Sequence, residues 1–148
     1  IRTSAMLSAH SAELCGEAEI EHLELLALLR SANAFEAYLK RYTAEFSSAN
    51  ILEFLLLNPA HPHSVHFSLR RLSESVAALQ DAGARGPRAN VERIVGRLVA
   101  TLSFSDVEEI FAAGLDNALG NVIRQCSQLH AEIHLAYIDY PIEGSLPA

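Results

Sequence analysis

The stretch Asn50-Ile-Leu-Glu-Phe-Leu-Leu-Leu-Asn-Pro-Ala-His-Pro-His-Ser-Val-His66 constrains the fold of this chain more than any other. Ile51, Leu52, Phe54, Leu55, Leu56 and Leu57 are too densely apolar for a helix with a wet side, so the segment is expected to be a central element. Asn58-Pro59 stops it, because proline has no amide to donate and disfavours helix in the residue before it. Pro62 suits the first turn of a following helix, in which Val65, Leu69, Leu72, Val76 and Leu79 recur at alternating steps of four and three. That seam predicts five buried side chains facing another helix.

Helical periodicity continues on both sides, and no period-two strand pattern is present. One helix is expected over residues 20–42, with Leu23, Leu25, Leu26, Leu28, Leu29, Phe35, Tyr38 and Leu39 lying nearly all round it. Ser47 or Ser48 can cap the helix that follows. After the loop Asp81-Ala-Gly-Ala-Arg-Gly-Pro-Arg88, the residues Val91, Ile94, Val95, Leu98, Val99 and Leu102 mark an amphipathic helix. Ser105-Asp-Val-Glu108 reads as a capping box that opens a short one, with the serine as the cap. From Leu115 a last helix carries Leu119, Val122, Cys126, Leu129, Ile133, Ala136 and Tyr140 until Pro141 ends it. Residues 1–19 read as a frayed helical lead-in and residues 141–148 as a loose tail. The fold class expected over residues 20–140 is all-α, an antiparallel bundle of five to six helices with no sheet.

Half of the 148 residues are apolar, carried by Leu and Ala, which is enough for a substantial single core. The formal charge of −7 argues against nucleic acid or an anionic membrane surface as partner, since both call for a basic footprint. Apolar runs such as residues 23–29 and 51–57 are too short to span a bilayer. Cys15 and Cys126 lie far apart and form no CxxC pair, which fits a reducing cytoplasm better than a disulfide framework.

Three clusters are candidates for chemistry. Lys40 and Arg41 end one helix while Arg70 and Arg71 lie opposite a seam, so antiparallel packing would let four cations, with the Tyr42 hydroxyl, surround an anion. The plainer reading is that they complement a helix C-terminus and keep the bundle soluble. Cys126, His130 and His134 step along one helix at i, i+4 and i+8 as metal ligands can. A straight helix does not bring all three to one point, and the plainer reading is a buried cysteine with two flanking histidines. His61, His63 and His66 surround the proline turn, where such residues are also ordinary turn formers. No GxSxG or phosphate-cradling motif is present, no cofactor is implied, and the chain alone does not read as catalytic.

The Glu-Phe-Leu-Leu-Leu helix, the Asn-Pro turn, the second proline, the Ser64-Val65 pair and the Leu-Arg helix resemble the bacterial alpha-E domain family. Leu28-Leu29-Arg30-Ser31, Tyr38-Leu-Lys-Arg-Tyr42 and the segment from Gly96 to Phe104 are similar to it as well. The resemblance implies a non-catalytic helical accessory module that acts with a circularly permuted ATP-grasp protein, a transglutaminase-like protein or another amide-ligating or peptide-modifying system. It further implies that the family's aromatic, Arg/Glu-rich opening motif lies upstream of Ile1 and that this chain is the second half of a longer domain. On that basis Phe67 and the segment 51–57 are expected to form an exposed apolar patch, covered in a homodimer. A metal-dependent or ligand-binding helical domain, using the His/Cys or Lys/Arg clusters, is the competing expectation.

Overall fold

The computed structural model describes residues 1–15, 21–43, 45–79 and 87–138, and all the regular structure among them is helical. The helices are α1 (Arg2–Ala9), α2 (Ser11–Cys15), α3 (Glu21–Ser31), α4 (Phe35–Tyr42), α5 (Ser48–Leu52), α6 (Val65–Ala78), α7 (Pro87–Phe104), α8 (Val107–Ala113) and α9 (Leu115–Ile133). Two wider π-helical turns, Glu53–Leu57 and His134–Ile138, extend α5 and α9. The all-α expectation is met with more and shorter helices than the five to six expected.

The apolar segment is the centre of the molecule. Ile51, Leu52, Phe54, Leu55, Leu56 and Leu57 are all buried. α5 packs on α2, α3 and α8, and the π-helical turn packs on α1, α6 and α7. Ser47 caps α5 by accepting the Asn50 amide at 3.2 Å, one of the two serines expected there. The amide of Asn58 reaches back five residues to the Glu53 carbonyl at 2.9 Å, the wide bond that defines the π turn. Segment 51–57 is therefore covered by this chain's own helices, and Phe67 is half-buried. The exposed apolar patch expected to demand a second copy is not formed by segment 51–57.

Several local expectations are corrected. The single helix over residues 20–42 is two helices, because Asn33 takes a left-handed φ of 52°. The amide of Ala34 then bonds the Leu29 carbonyl at 2.9 Å and that of Asn33 the Arg30 carbonyl at 3.0 Å, the paired bonds that close a helix end. Leu23, expected inside, is 75% exposed. The lead-in carries α1 and α2, whose Leu7 and Leu14 belong to the core, with α1 packed on α9. Pro62 lies in the turn before α6, whose cap is Ser64. At the start of α8 the cap is Asp106, whose Oδ1 accepts the Glu108 amide at 2.7 Å, while Ser105 donates back to the Thr101 carbonyl at 2.7 Å. The carboxylate displaces the serine because it is a stronger acceptor and lies one residue nearer the helix.

Of the five seam residues, Val65, Leu69 and Val76 on α6 are buried against the core, Leu72 is half-buried, and Leu79, just past the helix, is 59% exposed. α6 packs on α7, which packs in turn on α9. The expected loose tail and most of the loop 81–88 lie outside the described residues.

Candidate functional site

The chain reversal at Asn58 is held by side chains bonding to backbone. Asn58 Oδ1 accepts the amides of Ala60 at 2.8 Å and His61 at 3.2 Å, while Ser64 donates its hydroxyl to the Asn58 carbonyl and accepts the Phe67 amide at 3.0 Å. Asn58 and Ser64 are both buried. Asn58→Ala should therefore leave the His61 amide without an acceptor and cost about 1–3 kcal/mol, read as a lower denaturant midpoint at unchanged slope.

This reversal places His66 in the first turn of α6 with its ring against two neighbours. Nδ1 donates to the Leu57 carbonyl at 2.8 Å, and Nε2 lies 3.2 Å from the Ser103 hydroxyl near the end of α7. A serine beside an imidazole whose second nitrogen is held by a carbonyl is the outline of a nucleophile and its base. Here the same hydroxyl is closer to the Val99 carbonyl, at 2.8 Å, so its one proton is directed along its own helix. The Nδ1 bond clamps the first turn of α6 to the π turn, and Ser103 of α7 packs against the other edge of the ring.

Beside the clamp runs a groove of about 490 Å³ between the π turn, α6, α7 and the start of α8. Leu57, Val99 and Leu102 supply apolar lining, and Glu53, Arg70 and Asp106 bring charge to it. Glu53 Oε1 lies 3.6 Å from Arg41 Nη2, longer than a charge-assisted hydrogen bond. Its Oε2 is buried with no hydrogen-bond partner among the described residues.

The proposed anion cluster is thus divided. Arg41 also reaches the Tyr42 hydroxyl at 3.3 Å, and Arg71 pairs one turn along its helix with Glu74 at 2.8 Å. Lys40 is exposed at the end of α4, and only Arg70 of the five lines the groove. Sequence reasoning missed Glu53, although an acid alone within a run of six buried apolar residues was a signal that could have exposed it.

The His/Cys cluster is also separated. Cys126 is buried, which pushes its thiol pKa up, whereas His130 and His134 are exposed with ring centroids 4.9 Å apart. No group of three metal-binding side chains forms among the described residues. Around the proline turn His61 stacks on Phe54 at 4.2 Å and is only 7% exposed, while His63 stands edge-on to it at 5.6 Å on the exposed side.

Burial, and secondarily the charge of His63, lowers the pKa of His61 below the ordinary 6.5. The fold thus favours the neutral ring, so this contribution is complete above that range. As pH falls through it, the unfolded chain takes up the proton first and stability drops. Denaturant melts from about pH 7.5 down to about pH 5.5 should show this loss, and His61→Phe, which keeps the stack, should flatten the curve.

The family model for Alpha-E, described as a predicted alpha-helical domain with a conserved ER motif, matches residues 1–138. The chain contains the dipeptide Glu-Arg once, as Glu92-Arg93 on α7, where Arg93 donates to Asn90 Oδ1 at 3.1 Å. No curated protein and no solved structure matches the chain.

Proposed function

Because the chain belongs to the Alpha-E family, we propose that it works as a non-catalytic helical interaction module serving an ATP-grasp-type amide ligase or a related peptide-modifying system. The observation that carries this reading is where the reactive side chains are directed. Asn58, Ser64 and His66 bond to backbone, and the Ser103 proton is directed to the carbonyl of Val99. Groups used this way hold a scaffold in shape. Meanwhile Lys40 and Arg70 stay exposed, available to an acidic face of a partner, and Arg71, though paired with Glu74, lies exposed beside Arg70. The reading places the module in the cytoplasm, where its two free thiols stay reduced.

The test is comigration of the purified chain with a circularly permuted ATP-grasp protein, followed by the Arg70→Ala, Arg71→Ala double variant. The variant should keep its melting temperature and lose binding, since exposed cations contribute little to folding. No complex with the wild-type chain would overturn the proposal. Stoichiometric zinc or iron in untagged protein would favour the metal-dependent alternative. A homodimer is the other association the sequence suggests, and light scattering over a dilution series tests it.

A further inference from the structure

The groove beside His66 and Ser103 contains charges of both signs that do not neutralise each other. Glu53 and Arg70 both line it, yet no ion pair joins them, and among the described residues Arg70 has no carboxylate partner at all. Arg71, its neighbour in sequence, is by contrast closed onto Glu74. The Glu53 carboxylate is under-satisfied on both oxygens, with one held loosely by Arg41 at 3.6 Å and the other buried without a donor. An acceptor left in that condition at a wide helical turn gains from any donor that enters beside it. Glu53 already lines the groove, and its last side-chain torsion has broad minima, so the carboxylate can reorient toward a donor there.

We propose that this groove binds a small zwitterion, an amino acid or short peptide with a free ammonium and a free carboxylate, Glu53 taking the ammonium and Arg70 the carboxylate. A simple anion would meet Arg70 but be repelled by Glu53 and Asp106, and a simple cation would meet the reverse. A molecule carrying both charges satisfies both walls. Arginine suits the carboxylate end because its planar fork can bind both oxygens. Asp106 is already engaged in capping α8, so it contributes field more than contact. A volume of about 490 Å³ falls within the range of small-molecule sites, and Leu57, Val99 and Leu102 offer apolar contact for a side chain. The clamp keeps two of the walls in register, since His66 of α6 is tied to the π turn through the Leu57 carbonyl. The inference stands apart from the proposed ligase partnership, because the chain alone is the receptor.

Titration of the isotope-labelled chain with L-alanyl-L-alanine, its N-acetyl form and its C-terminal amide tests the assignment. The free dipeptide should shift the resonances of His66, Arg70 and Ser103, and each blocked form should bind about tenfold more weakly, the loss of one charge-assisted contact. In Arg70→Ala the penalty for amidation should vanish while that for acetylation remains. Glu53→Gln should show the opposite pattern. Arg70 is exposed, so its variant is expected to fold even if Glu53→Gln does not. Absence of groove shifts with the free dipeptide, or equal binding of the free and blocked forms, would overturn the proposal.

Discussion

Replacing Tyr38 with alanine should destabilise the protein by about 3–5 kcal/mol, the loss expected for a large aromatic side chain removed from a packed core. Tyr38 has no exposed surface. Its ring lies 4.7 Å from Tyr42 and 5.6 Å from Phe46, and it meets the edge of Phe54 at 5.5 Å. It therefore joins α4 to the loop before α5 and to the central π turn. The hydroxyl donates to the Glu45 carbonyl at 2.6 Å, and burial raises its pKa above the usual tyrosine value. Tyr38→Phe keeps the ring contacts and removes only the hydroxyl, so its cost should be near 1 kcal/mol. Chemical denaturation of the two variants separates the contributions. Equal losses would mean that the hydroxyl, and not the aromatic cluster, holds this corner.

Two leucines of the same seam should respond very differently. Leu69→Ala should cost about 2–5 kcal/mol through lost burial and the cavity left behind, because Leu69 is packed in the core between α6 and its neighbours. Leu79→Ala should change stability by less than about 0.5 kcal/mol, because that residue is 59% exposed just past the end of α6. The unfolding slope should stay constant in both, which keeps the comparison one of stability. A Leu79 effect approaching that of Leu69 would mean that this end of the helix is covered in solution.

The contrast shows what periodicity encodes. Alternating steps of four and three correctly mark which face of α6 is apolar, and Val65, Leu69 and Val76 are buried accordingly. They carry no information on how far the neighbouring helices extend along that face, and that length decides Leu79. The break at Asn33 was hidden for a related reason. A single left-handed residue at asparagine costs little, so the continuous apolar pattern through residues 20–42 outweighs it in any window average. The cap of α8 moved from Ser105 to Asp106 because the two alternatives differ by no more than about 1 kcal/mol.

The site was legible to a similar depth. That Arg70 and Arg71 belong to a polar face follows from their place in the heptad, and the Arg71–Glu74 pair is a neighbour relation within one helix. That Arg41 faces Glu53, and that Glu53 shares a groove with Arg70, depends on how α4, the π turn and α6 are brought together. Likewise His66 was visible as one of three histidines at a proline turn, while its contact with Ser103, thirty-seven residues away, was not.

By itself the sequence determined that this protein is all-helical, that residues 51–57 lie at its centre, and that the chain turns at Asn58-Pro59. Those outcomes rest on local propensity and on apolar density too high to leave in water. Only the tertiary structure decided which cations keep their charge free, which acid lacks a donor, and where a groove opens beside them. Such properties arise between elements distant in sequence, where small packing differences decide whether two charges meet at 3 Å or stand apart.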